Sequence, residues 1–259
     1  MNETILILLA GGHASGKRSG CKILQQQLQK LDGELNVKEI DMNDYLEKDK
    51  LKPGCKEPKL YKWDILKDQL NFFMSQDYDV IILYGLYALY NNQIMDQATV
   101  KVFIDCDADI RLGRWIERDI LSRSRDSTLN AVSVQHQQNK ELENLLDIYL
   151  RYSRTEMKIY INDTKENADI ILPRGADLVG FSLILDGLKP LLLKKFYQHQ
   201  KKSNSEVDDA YAMKSTSSIS SMGRDTVLHT LKQISEEPSV QSLTNDNFFN
   251  TTRVFHEAN

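Results

Sequence analysis

The run ILILLA, Ile5 to Ala10, passes without a break into GGHASGKRSG, Gly11 to Gly20, and no other feature of the chain limits its fold as tightly. Six apolar residues in a row, met at once by glycines, predict a strand covered on both faces that ends in a tight turn. Gly11, Gly16 and Lys17 meet the pattern G-x-x-x-x-G-K-[ST], but the Ser/Thr place holds Arg18. Between a strand and a helix, such a loop turns backbone N–H groups inward and adds the positive end of the helix, which suits a polyphosphate. The expected nucleotide-binding residues are Gly11, Gly12, His13, Ala14, Ser15, Gly16, Lys17, Arg18 and Ser19, with Lys17 reaching the β and γ phosphates. A plain glycine turn is the bland alternative, and His13 is expected as a spacer facing solvent.

Arg18 bears on the metal. The hydroxyl usual at that place ligates the magnesium ion of the triphosphate. An arginine cannot ligate a cation, although it can donate to phosphate directly. Ser19 comes one residue later, a rotation of about 100° on a helix, and is a poor replacement. The loop therefore predicts ATP as cosubstrate and leaves magnesium without an assigned ligand set.

Further apolar runs at Ile5–Leu9, Val37–Ile40, Val80–Leu83, Val100–Ile104 and Ile170–Leu172 read as strands. None alternates cleanly with polar residues, as expected of strands buried on both faces. Helical patterns fall between them, at roughly 17–31, 64–75, 108–122, 141–160 and 178–195. Strand and helix in alternation predict an α/β fold, a parallel sheet with helices on both faces. From residue 199 to 259 the chain turns Ser-rich and poor in large apolar residues. It is expected as a disordered tail outside a domain of residues 1–198, with one short amphipathic helix at 225–237 carried by Val227, Leu228, Leu231 and Ile234.

Composition excludes more than it assigns. A net charge of -4 over 259 residues gives no sign of a nucleic-acid-binding surface or of affinity for anionic membranes. The opening apolar run is too short to span a bilayer and lacks the basic region of a signal peptide. Cys21, Cys55 and Cys106 are odd in number and widely spaced, which fits neither a disulfide framework nor a zinc site and points to a reducing compartment, cytoplasmic or nuclear. His136 has no acid or cysteine at ligand spacing.

Arg111, Arg114, Arg118, Arg123 and Arg125 crowd a helix-like stretch. On spacing alone this is either a mobile lid whose guanidinium groups neutralise a transferring phosphoryl or a solvated face paired with Glu117 and Asp119. The stretch VKVFIDCDADIRLGRWIERDILSRSRD (100–126), the later ADIILPRGADLVGFSLIL (168–185) and YGLYALYNNQIMD (84–96) together resemble the uridine kinases, the uridine/cytidine kinase family. With the loop, the resemblance covers most of residues 5–195. It implies a P-loop kinase fold, a lid at about 111–141, and transfer of the ATP γ-phosphate to a nucleoside 5′-hydroxyl of uridine or cytidine, a step of pyrimidine salvage. Oligomers are implied only weakly.

Carried over by position, the resemblance places Arg118, Arg123 and Arg125 on lid arginines, with Arg125 also on the substrate side. Trp115 stands where a substrate-contacting arginine is expected, and Asp177 matches a residue near the ATP base. The catalytic aspartate after the second strand falls within IDMNDYL, which offers Asp41 and Asp44, while an ungapped alignment puts Asn43 there. Asp64, after Trp63, matches an acid that meets the sugar; its alternative is a helix N-terminal acid beside a buried indole.

Four departures stand beside these matches. Tyr84 replaces the acid after the third strand and cannot act as a metal-bound carboxylate. An insertion at about 127–141 interrupts the lid. Ile148 replaces a uridine-contacting glutamine, and the hairpin that closes over the base is absent between residues 75 and 80. Three functions remain open: an active nucleoside kinase, a catalytically degenerate nucleotide-binding pseudokinase or regulatory protein, and a related small-molecule kinase with an altered acceptor. Tyr87 and Tyr90, with Tyr84, read as packing aromatics at a strand end.

Overall fold

The computed structural model describes residues 4–31, 35–47, 54–122 and 131–211. β1 (Ile5–Gly11) leads through the glycine loop into α1 (Lys17–Leu31), then β2 (Val37–Asp41), α2 (Trp63–Ser75), β3 (Val80–Tyr84), the short α3 (Asn92–Met95) and β4 (Val100–Ile104). α4 (Ala108–Ile116) runs on as a π-helical turn, Glu117–Leu121. α5 (Ala131–Ile148) continues through π-helical and α-helical turns, including α6 (Arg154–Glu156), to Ile161. β5 (Ile170–Leu172) and α7 (Leu178–Tyr211) follow.

The five strands are all parallel, in the order β2-β3-β1-β4-β5. The phosphate-loop strand is thus central, flanked by β3 and β4. Its side chains split by the two-residue period of a strand. Leu6, Leu8 and Ala10 enter one core with Leu66 and Leu70 of α2, whereas Ile5, Ile7 and Leu9 enter the other with Leu24 and Leu28 of α1 and Phe181 and Leu185 of α7. All six β1 residues are buried, which is why the strand shows no polar alternation. Truncating one of them, as in Leu8→Ala, is expected to cost about 2–5 kcal/mol.

α1 carries its buried residues at Gly20, Cys21, Leu24 and Leu28, one helical stripe. At Gly20 the aromatic ring of Phe181 lies where a side chain would stand, so the helix that begins at the loop packs closely on α7. Only Gln76 to Asp79 separate α2 from β3, so the segment expected to lack a hairpin is a short connection.

Two expectations change. The helix expected to begin near 141 begins at Ala131, so the described part of the 127–141 insertion is helical. The helix expected to end near 195 continues to Tyr211 past Pro190, so residues 199–211 are helical. The chain divides into two compact units, residues 1–204 and 205–259, the second described only over helical residues 205–211. The short helix expected at 225–237 lies outside the described residues. Among them no helix is long and apolar enough to cross a membrane, and Cys21, Cys55 and Cys106 are buried, free thiols.

Candidate functional site

The loop that joins β1 to α1 is held by its glycines. Gly11 has φ 144° and Gly16 φ 105°, conformations that a side chain resists. Ala14 also takes a positive φ, 55°, at a cost on the order of 1 kcal/mol. Ser15 N–H donates to the Gly12 carbonyl at 3.2 Å and Gly20 N–H to that of Gly16 at 2.8 Å, closing the turn into the helix. Ser15 is fully buried with its Oγ unpartnered. The remaining N–H groups and the helix start face a cleft of about 580 Å³, lined among others by Gly16, Lys17, Arg18, Ser19 and Asp41.

Lys17 folds back on the loop, its Nζ donating to the carbonyls of Gly11 at 2.9 Å and Gly12 at 2.7 Å. Burial, and then the nearby Lys56 and Arg111 cations, lower its pKa to about 7. The Asp41 carboxylate pulls the other way without offsetting them. Arg111 is buried beneath the loop, Nε donating to the Cys106 carbonyl at 3.0 Å, and a methyl on Gly12 would stand 2.6 Å from its Nη1. Arg114 and Arg118 reach the same cleft from α4 and its π-helical turn. Arg118 is also bonded to Asp119 at 2.7 and 2.9 Å, the pairing expected of a solvated face. Arg123 and Arg125 lie outside the described residues.

Across from the loop the ends of β2 and β3 meet in register, Asp41 beside Tyr84. Asp41 caps the following turn, its Oδ1 accepting from Asn43 N at 2.8 Å and Asn43 Nδ2 at 2.7 Å. Asp41 and Asn43 line the cleft whereas Asp44, exposed, does not. Tyr84 is more than a packing aromatic: it lines the cleft and donates to Glu39 Oε1 at 3.0 Å. Burial and the neighbouring carboxylates push its phenol far above the ordinary range. Tyr87 and Tyr90 do pack, edge to face with each other, in a cluster with Tyr61 and Trp63.

His13 is not the solvent-facing spacer expected. It is 8% exposed, stacks on Trp115 with ring centroids 5.2 Å apart, and donates from Nε2 to Glu156 Oε2 at 2.8 Å. Burial lowers its pKa against the opposing pull of Glu156, so the ring is neutral and keeps its proton on Nε2. The reason is packing: the segment that follows α5 passes over the loop, and a buried Glu156 requires a donor. Glu156 also accepts from the backbone N–H of Lys56. Lys56 in turn reaches the cleft and donates from Nζ to Asn43 Oδ1 at 2.9 Å.

The other expected residues stand apart from this cluster. Asp64 points to solvent, 93% exposed and paired with Lys67 at 3.0 Å, while Trp63 donates to the Pro58 carbonyl at 2.8 Å. Asp177 Oδ1 accepts from Gly180 N–H at 2.7 Å and caps the start of α7. Ile148 packs against Gly54, where its side chain leaves no room for another. Lys56, Glu156, Glu39 and the burial of Arg111 had no motif to announce them; each belongs to the site through neighbours distant in sequence.

A sequence model of the phosphoribulokinase / uridine kinase family matches residues 47–179. The chain belongs to this family. Among its relatives, a uridine kinase of Staphylococcus epidermidis is 27% identical over 222 residues, covering 75% of this chain and 100% of that protein. Uridine kinase-like protein 3 of Arabidopsis thaliana is 29% identical over 203 residues, 68% of this chain and 40% of that protein. Uridine-cytidine kinase B of Dictyostelium discoideum is 34% identical over 120 residues, 46% of this chain and 43% of that protein. The chain thus spans less than half the length of two of these three relatives. The family match starts beyond the glycine loop, so loop and family are separate observations that meet in one P-loop kinase fold, and that fold implies ATP.

The side chains present do not fit a protein-held magnesium ion. Where the loop would offer a hydroxyl it offers the Arg18 guanidinium, and where β3 would offer an acid it offers a phenol whose proton is committed to Glu39. Among the described residues Asp41 is the one carboxylate lining the cleft, with one oxygen already accepting two bonds from Asn43. A hard dication seeks several oxygen ligands, and among the described residues no group of three acids, histidines or cysteines converges.

Proposed function

We propose that this member of the family binds ATP in the loop cleft and transfers its γ-phosphoryl group to the 5′-hydroxyl of a pyrimidine nucleoside, uridine or cytidine. The observation that carries the reading is the convergence, in one cleft, of the loop with Lys17, the α4 cations Arg114 and Arg118, and the Asp41 carboxylate. The loop N–H groups and Lys17 hold the phosphates, and Arg114 and Arg118 balance charge on the group in transit. Asp41 faces the same space and accepts the proton of the attacking hydroxyl as its oxygen bonds to phosphorus and the bond to the leaving ADP oxygen breaks.

A second reading, a nucleotide-binding protein with little turnover, is favoured by Arg18 and Tyr84 together. Removing a single electrostatic interaction with the transition state commonly slows a reaction by about 100- to 1,000-fold. Assays of ATP hydrolysis and of uridine and cytidine phosphorylation, with Lys17→Ala as control, separate the two. Nucleoside-dependent ADP formation that Lys17→Ala abolishes supports the first reading. ATP binding without either reaction supports the second and sinks the first.

A further inference from the structure

Of the sixteen described residues that line the cleft, six are lysine or arginine, namely Lys17, Arg18, Lys22, Lys56, Arg114 and Arg118, against one carboxylate, that of Asp41. We infer that the cleft takes the metal-free, fully ionised triphosphate in preference to its magnesium complex, and that Lys56 and Arg18 supply the charge a metal would otherwise bring. The inference rests on the nucleotide-binding part of the function proposed above and names the ionic form of its ligand.

Lys56 is built into its place. Its backbone N–H is held by the buried Glu156, and its ammonium donates to Asn43 Oδ1 at 2.9 Å. Asn43 is itself fixed by two bonds to Asp41 Oδ1. The relay Asp41–Asn43–Lys56 thus sets a cation beside the end of β2. Burial disfavours the charge on Lys56, as it does on Lys17. The Lys17 and Lys56 ammonium groups repel one another, with Arg111 adding to the repulsion at Lys17 and Arg118 at both, and a polyanion relieves that repulsion in proportion to its charge.

Arg18 and Tyr84 bear on the same choice. At one of two positions that would accept a metal the chain presents a guanidinium, Arg18, which pairs with bare phosphate oxygens; at the other stands Tyr84, whose proton goes to Glu39, so no carboxylate is offered there. A magnesium ion already seated on those oxygens competes with the guanidinium and adds two positive charges to a basic cleft. The uncomplexed triphosphate meets neither obstacle.

The test is calorimetric titration of the full chain with ATP, once in EDTA and once in saturating magnesium, repeated with inorganic tripolyphosphate as a probe that has no base or sugar. The expected result is binding about tenfold or more tighter in EDTA for both ligands, the equivalent of one good charge-assisted hydrogen bond. Lys56→Gln and Arg18→Ser should each narrow the gap by weakening binding in EDTA more than in magnesium. Arg18 is exposed at the start of α1, so its variant tests the idea even if Lys56→Gln fails to fold. Equal or tighter binding in magnesium overturns the inference and leaves the proposed function standing. No binding in either buffer overturns both, whereas turnover without the EDTA preference removes only this one.

Discussion

On the donor side of the cleft the phosphate-facing groups come from one backbone segment, Gly11 to Lys17, fixed by positive φ at Gly11 and Gly16 and by the central strand. On the opposite side the lining comes from side chains on separate segments: Asp41 at the end of β2, Asn43 in the turn after it, Tyr84 on β3 and Lys56 before α2. A backbone cradle tolerates Arg18 and His13 because neither changes the course of the chain. A wall of side chains changes its chemistry with each replacement. The two halves of one cleft therefore answer differently to substitution.

The largest effect is expected from restoring a metal ligand on each side of the cleft. Arg18→Ser with Tyr84→Glu should raise magnesium-dependent ATP turnover by about 100-fold, with single changes giving far less because ligands of one ion act as a unit. ADP release in magnesium and in EDTA measures it, and a double variant that binds ATP but turns over no faster than the parent shows the acceptor side or lid to be limiting.

Next comes the cradle itself. Lys17→Met should weaken ATP binding by about 10- to 100-fold, the loss of one hydrogen-bonding charge. In the parent, Lys17 titrates near pH 7 when the cleft is empty, and a bound polyanion raises that value. Binding then takes up a proton above neutrality, so affinity should fall as pH rises from about 7 to 9, by at most tenfold per unit. A pH-independent affinity over that range contradicts the placement of Lys17.

Smaller effects sharpen the division. Glu156→Gln removes the charge that His13 and the Lys56 backbone share and should cost about 1–3 kcal/mol of stability by thermal or urea unfolding. Affinity for tripolyphosphate should change less than about threefold, within what one modest hydrogen bond is worth. Asp64→Ala should alter stability by under about 0.5 kcal/mol and leave turnover unchanged, because its pair with Lys67 is exposed. A large loss of nucleoside phosphorylation would instead return Asp64 to the acceptor site.

The sheet was legible because buried parallel strands must be apolar on both faces, and β1, β3 and β4 carry little else. The phosphate loop was legible because its requirements are local: glycine where φ is positive, lysine at the helix start. His13 was misread for the converse reason. Its burial depends on Trp115 and Glu156, more than one hundred positions away in sequence, and no local pattern encodes a neighbour brought in by α4 or by the segment after α5. Lys56 escaped notice in the same way. The length of α7 was underestimated because polar residues past 198 prolong a helix that the apolar pattern alone would end. Asp41 and Asp44 could be separated only by the turn at residues 42–45, which leaves one at the cleft and the other in solvent.

The position of β1 in the sheet carries a temporal consequence. Ile5 pairs with Val80 and Ile7 with Val100, so the strand made first on the ribosome has neither neighbour until much of the domain has emerged. Such distant parallel pairings close large loops and form slowly. The glycine segment therefore exists as sequence long before it exists as a cradle, and a nascent chain that stops short of residue 104 offers a phosphate nothing rigid to bind. A nucleotide that binds the proposed cradle is therefore expected to stabilise only chains whose central three strands have formed.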